Sequence, residues 1–205
     1  MSKPKHFNQG VVLGEITELK KDKAGEVPYL LVAVDCDGPY GAVIGFCKIW
    51  NTKDDPNRIG TFLSRYKKGN MVKITAAVAQ YKGRHDKIKT NFNAFKFVPW
   101  DPQQDENRCR RAKFIIAGEV VSFDENDDGG LVTVKHENKS YSAELKLMVP
   151  LEKSFDVEVG TVSRFEGYLR QVNNTTVPVV DDIKVMGDQE EAAEGEDQPD
   201  DDIPF

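Results

Sequence analysis

The stretch Ala42-Val43-Ile44-Gly45-Phe46-Cys47-Lys48-Ile49-Trp50 decides the fold. In an extended chain, successive side chains point to opposite faces. Val43, Gly45, Cys47 and Ile49 therefore share one face, and Ile44, Phe46, Lys48 and Trp50 share the other. The first set is small and apolar, as a narrow barrel interior requires. The second alternates ring, cation and ring. A slip of one residue would exchange the faces and send Phe46 and Trp50 into the core, so register carries the interpretation.

Upstream of this strand, Gly10–Leu19 and Pro28–Cys36 are apolar runs rich in β-branched residues. Downstream, a break at Asp54–Arg58 leads into Ile59–Tyr66, which has helical or turn character. Lys67-Lys68-Gly69-Asn70 is a turn before Met71–Tyr81, Gly83–Asp86 is a loop, and Lys89–Trp100 closes the unit. Five strands with a short element between the third and fourth is the order of an oligonucleotide-binding (OB-fold) barrel, the five-stranded Greek-key fold. Pro99–Arg111 is polar and charged and suits a linker. The same order then returns in shorter form: Lys113–Phe123, Leu131–Lys135, Lys139–Leu147, a connector at Pro150–Phe155, Thr161–Gln171 and Thr176–Met186. The expectation is an all-β protein with two tandem OB-fold barrels, at 1–100 and 112–187, joined by a linker at 101–111. A single large β-sandwich is the alternative architecture.

The 205 residues carry a net charge of -6. That total conceals a segregation. Residues 1–100 hold 17 Lys and Arg against 9 Asp and Glu, whereas residues 101–187 hold 11 against 16. Residues 188–205 add nine acids and no base. The first half is therefore basic enough to meet phosphate, although the whole chain is acidic.

The outward face of the third strand suits single-stranded nucleic acid, because bases stack on rings while phosphates meet cations. Phe46, Lys48 and Trp50 are its candidates, and Tyr29, at the start of the second strand, extends the platform. The loop between the fourth and fifth strands adds Tyr81, Lys82, Arg84, Lys87 and Lys89 around the flexible Gly83. In the fifth strand, alternation assigns Phe95 and Phe97 to the core, and Phe92 and Lys96 to the binding face. The second unit interleaves acids (Glu144, Glu158, Glu166) with Tyr141, Phe165 and Tyr168. It is the poorer primary site, although Arg164 and Arg170 offer contacts to a backbone.

From Asp188 onward the segment cannot bury enough apolar surface to order itself, and a disordered acidic tail is expected. It closes on Asp200-Asp201-Asp202-Ile203-Pro204-Phe205. A solvated tail gains nothing from Ile-Pro-Phe. As a ligand the sequence makes sense, with a ring for a pocket and acids for a basic rim. This terminus resembles the tail of bacterial single-stranded DNA-binding proteins. The likeness rests on the last six to nine residues, while the body looks more like a divergent phage or mobile-element member. The resemblance implies a protein that coats single-stranded DNA without sequence preference in the bacterial cytoplasm, or in an infected host. It also implies recruitment of replication, recombination and repair enzymes, such as exonucleases, helicases and polymerase subunits, through Asp200–Phe205. Two barrels depart from that family's usual single barrel, which leaves monomer and homodimer open.

No catalytic set emerges: there is no Gly-rich phosphate loop and no Gly-x-Ser-x-Gly, and an enzyme is not expected. Cys36, Cys47 and Cys109 lack metal or disulfide spacing, His6, His85 and His136 are scattered, and neither a metal nor a cofactor is implied. No apolar run approaches the roughly 20 residues that span a bilayer, and the polar first ten residues lack a secretory core, so no membrane partner is expected. A different class of function would fit the tail alone: an interaction protein or DNA mimic that occupies the tail-binding pockets of host repair enzymes.

Overall fold

The computed structural model describes residues 6–39, 41–83, 87–104, 110–126, 129–137, 142–150, 158–172 and 175–186. Five strands form the first unit: β1 (Phe7–Ala24), β2 (Val27–Cys36), β3 (Val43–Trp50), β4 (Met71–Lys82) and β5 (Ile88–Pro99). One helix, α1 (Arg58–Arg65), lies between β3 and β4. The second unit comprises β6 (Arg111–Asn126), β7 (Gly129–Glu137), β8 (Ser142–Pro150), β9 (Val162–Val172) and β10 (Thr175–Val185).

Pairing closes both units in the same way. The first ring runs β1-β2-β3-β5-β4 and back to β1, and the second runs β6-β7-β8-β10-β9 and back to β6. In each, the pair that jumps a strand is parallel, β3 with β5 and β8 with β10. These are two tandem OB-fold barrels in an all-β chain. The repeat extends to irregularities. In β1 the register shifts between Ile16 and Glu18, and in β6 between Val120 and Ser122. A bulge bends the strand where a small barrel turns its corner. Three residues before each extra residue stands a glycine, Gly14 or Gly118, where a Cβ would strike the backbone of Asp35 or Lys135. Glycine is required there because the bent strand is pressed against its neighbour.

The cores follow from alternation. Val43, Gly45, Cys47 and Ile49 point inward, and α1 adds the fully buried Phe62 to the core. Phe62 stacks on Tyr66 at 4.7 Å and meets Phe97 edge-on at 4.9 Å. Burial drives the thiol of Cys36 up to about 12, so it behaves as a small apolar side chain.

The barrels are joined by backbone. Phe7–Leu13 of β1 pairs antiparallel with Arg111–Ala117 of β6, which makes one ten-stranded sheet. Two amides mimic a further strand. Asn8 exchanges two hydrogen bonds with the backbone of Val78, both 2.9 Å, and Gln80 exchanges two of 2.8 Å with Lys146. Arg110, just before β6, reaches back to Glu15 at 3.2 Å and Asp35 at 3.0 Å. These two carboxylates lie opposite one another across β1 and β2.

The fifth strand departs from simple alternation. Ala76 faces Ala94 but Thr75 faces Lys96, so Phe95 is an extra, bulged residue. The bulge reverses parity along β5, and both Phe92 and Phe97 turn to the core although they stand five positions apart. Phe92 is fully buried and is not part of an outward binding face. Phe165 is likewise core in the second barrel.

Candidate functional site

Four side chains from three strands converge on the outer face of the first barrel. Tyr29 and Trp50 are cross-strand partners in the β2–β3 ladder, with ring centroids 4.8 Å apart. Lys48 shares their face. Its Nζ lies 5.0 Å from the Tyr29 ring centroid, 5.8 Å from that of Trp50 and 4.6 Å from that of Tyr81. Each distance is within the roughly 6 Å at which a ring face attracts a cation. One ammonium is thus held among three rings.

The electrostatics of this cluster follow from its partial burial. Desolvation lowers the pKa of Lys48 below the ordinary lysine value, against an opposing pull from Asp22. Desolvation raises the phenols of Tyr29 and Tyr81, with Asp22 adding to the effect at Tyr29. Both rings therefore stay uncharged at neutral pH and offer no repulsion to a phosphate.

The sequence-based candidates fall in different places. Tyr29, Lys48, Trp50 and Tyr81 are brought together. Trp50 is more covered than an open stacking platform, at 7% exposure, because it ends β3 between Tyr29 and Asn93. Its Nε1–H donates to Asn93 Oδ1 at 3.3 Å. Phe46 lies two residues along the same face, half-buried. Lys82, Lys87 and Lys89 are exposed at the β4–β5 hairpin, and Lys96 is exposed farther along β5. Phe92 is excluded by its burial. Arg84 and the tail residues Asp200, Asp201, Asp202, Ile203, Pro204 and Phe205 lie outside the described residues, as does Tyr141.

Sequence reasoning missed Asn91 and Asn93. The β3–β5 register pairs Lys48 with Asn93, which puts both asparagines on the face of the aromatic cluster. Their alternation around the buried Phe92 was the available clue. In the second barrel, Glu166 holds Lys113 at 3.0 Å and also pairs with Arg164 at 2.6 Å. That arrangement neutralises cations instead of presenting them. Among the described residues no His, Cys, Asp and Glu group could hold a metal ion, and no helix is long and apolar enough to cross a membrane.

No protein-family model matches the chain, and no curated protein matches it in sequence. Solved structures do. The chain is similar to a deletion mutant of the single-stranded DNA-binding protein from Thermus aquaticus, with TM-score 0.62 and 12% identity over 93% of this chain and 99% of that one. The wild-type Thermus aquaticus protein gives TM-score 0.60 and 11% identity over 93% and 98%. At such identity the likeness is one of fold, and it spans both barrels.

Proposed function

We propose that the protein binds single-stranded DNA without sequence preference, and that the cluster of Tyr29, Lys48, Trp50 and Tyr81 is the centre of its binding surface. The observation that carries this reading is the Lys48 ammonium held among three rings on an outer barrel face. Bases stack on such rings at about 1–3 kcal/mol each, and a lysine among them can turn to the phosphate that follows each base. Lys82, Lys87 and Lys89 extend the cationic track along the hairpin, and Arg84 falls between them in the sequence. The fold shared with the Thermus aquaticus protein, whose name states single-stranded DNA binding, supports the same reading. The first barrel takes the primary role, while the acidic second barrel extends or braces the groove.

The tail gives the protein its second activity. Asp200–Phe205 combines acids with a terminal apolar group, the chemistry of a peptide ligand for a basic-rimmed pocket on replication, recombination and repair enzymes. Titration with oligo-dT, following tryptophan emission, tests the DNA reading. Stacking beside Trp50 quenches the emission and gives a saturable curve. An unchanged spectrum without binding contradicts it, and leaves the tail as the working part of an interaction protein.

A further inference from the structure

A chain of hydrogen bonds beneath Lys48 has only one possible polarity. The indole N–H of Trp50 can only donate, so the Asn93 atom that meets it at 3.3 Å is Oδ1. The same Oδ1 lies 3.4 Å from Asn91, and an acceptor there requires the Nδ2 of Asn91. The second amide is thereby oriented by the first. Its remaining oxygen, Asn91 Oδ1, is buried and has no hydrogen-bond partner among the described residues. Asn91 is 3% exposed. A buried acceptor left unmade is costly, and native structures keep few of them without a reason.

The strand order supplies a reason. β5 lies between β3 and β4, and Lys48 on β3 reaches the Tyr81 ring on β4. The Lys48–Tyr81 contact therefore spans β5 on the face that carries Asn91 and Asn93. Lys48, held among the three rings, thereby helps to close over that face, in keeping with the burial of Asn91. When it turns away to a phosphate, the oriented acceptor is uncovered beside Trp50 and Tyr81.

We infer that Asn91 Oδ1 is a base-reading acceptor, which takes an N–H from the edge of a nucleobase seated on the aromatic cluster once Lys48 has moved. The inference rests on the DNA-binding reading and deepens it. All four DNA bases present at least one N–H on an exposed edge, so such a contact demands a base without demanding a sequence. Asn93 and Trp50 act as positioning residues that fix which atom of Asn91 faces outward.

Thymine gives a clean probe, because N3–H is its one N–H. Affinities are measured for oligo-dT and for the same strand built of N3-methylthymine, with the wild-type protein and with Asn91→Ala. Wild type is expected to bind the methylated strand about tenfold more weakly, the scale of one hydrogen bond to a buried acceptor. In Asn91→Ala the two strands are expected to bind alike. Equal affinities in the wild type overturn the inference and would mean that water or nothing satisfies Asn91; this arm needs no variant and stands even if Asn91→Ala fails to fold. A penalty of the same size in both proteins also overturns it, since the methyl group would then act by bulk alone. Absence of binding to either strand contradicts the DNA reading itself, and this inference with it.

Discussion

Lys48 shows how one residue can link fold to function. Its charge is held among rings in a partly desolvated place, and desolvation outweighs the pull of Asp22, so its pKa lies below the ordinary value. A bound phosphate is an opposite charge and pulls that pKa back up. A DNA complex would therefore hold more protons than the free protein in the pH interval between the two values. Binding should take up protons there, and affinity should fall as pH rises through the free-state value. Calorimetry in two buffers of different ionisation enthalpy reads this directly, and Lys48→Arg, which stays charged, should abolish the uptake. Phe92 is the contrasting residue. It is fully buried against Gly10, where a Cβ would collide with its ring. Phe92→Ala should cost about 3–5 kcal/mol of stability in a denaturant titration, the range for emptying an aromatic core site. Its oligo-dT affinity, measured where the variant is still folded, should stay close to wild type.

At the scale of elements, β3 was legible in the sequence and β5 was not, for one physical reason. β3 runs without a bulge, so period-two alternation sorted Val43, Gly45, Cys47 and Ile49 from Phe46 and Lys48 correctly. β5 carries the extra residue Phe95, and no local property of Asn91–Val98 announces it. The bulge depends on how β4 bends around the barrel, which is tertiary information. Burial of Trp50 was hidden in the same way, since it comes from Tyr29 and Asn93 on neighbouring strands. The strand order of both barrels could be read, but the shared glycine-then-bulge device could not. It emerges only when Gly14 and Gly118 are seen against Asp35 and Lys135. The β4–β5 hairpin offers the test that belongs to this scale. Neutralising Lys82, Lys87 and Lys89 together should flatten the dependence of log affinity on log salt by about 0.7 for each lost phosphate contact. An unchanged slope would mean that the hairpin stands clear of the strand.

Across the whole molecule, charge is divided between a basic first half and an acidic tail that share one chain. Nine acids follow β10 on the same chain as the basic first barrel, and linkage in one chain raises the effective concentration of one segment at another. They should compete with DNA most strongly below about 0.1 M salt, where screening is weak. Removing residues 188–205 should therefore tighten oligo-dT binding at low salt and also abolish capture of partner enzymes. Removing Phe205 alone should abolish only the capture, because all nine acids remain. Retained capture without Phe205 would reduce the tail to an electrostatic shield. The β1–β6 pairing and the Arg110 contacts make the two barrels one body, so the first barrel's outer face keeps a fixed relation to the second.

If the rings around Lys48 hold single-stranded DNA, removing them should weaken its binding. The most direct measurement is the oligo-dT affinity of the double variant Tyr29→Ala, Tyr81→Ala beside that of the wild type. Tyr81 is exposed and Tyr29 lies at the barrel surface, so the variant should stay folded, as a denaturant titration can verify. A loss of about 2–6 kcal/mol is expected, the sum of two stacked bases. A folded double variant that binds oligo-dT as tightly as the wild type would contradict that role of the rings.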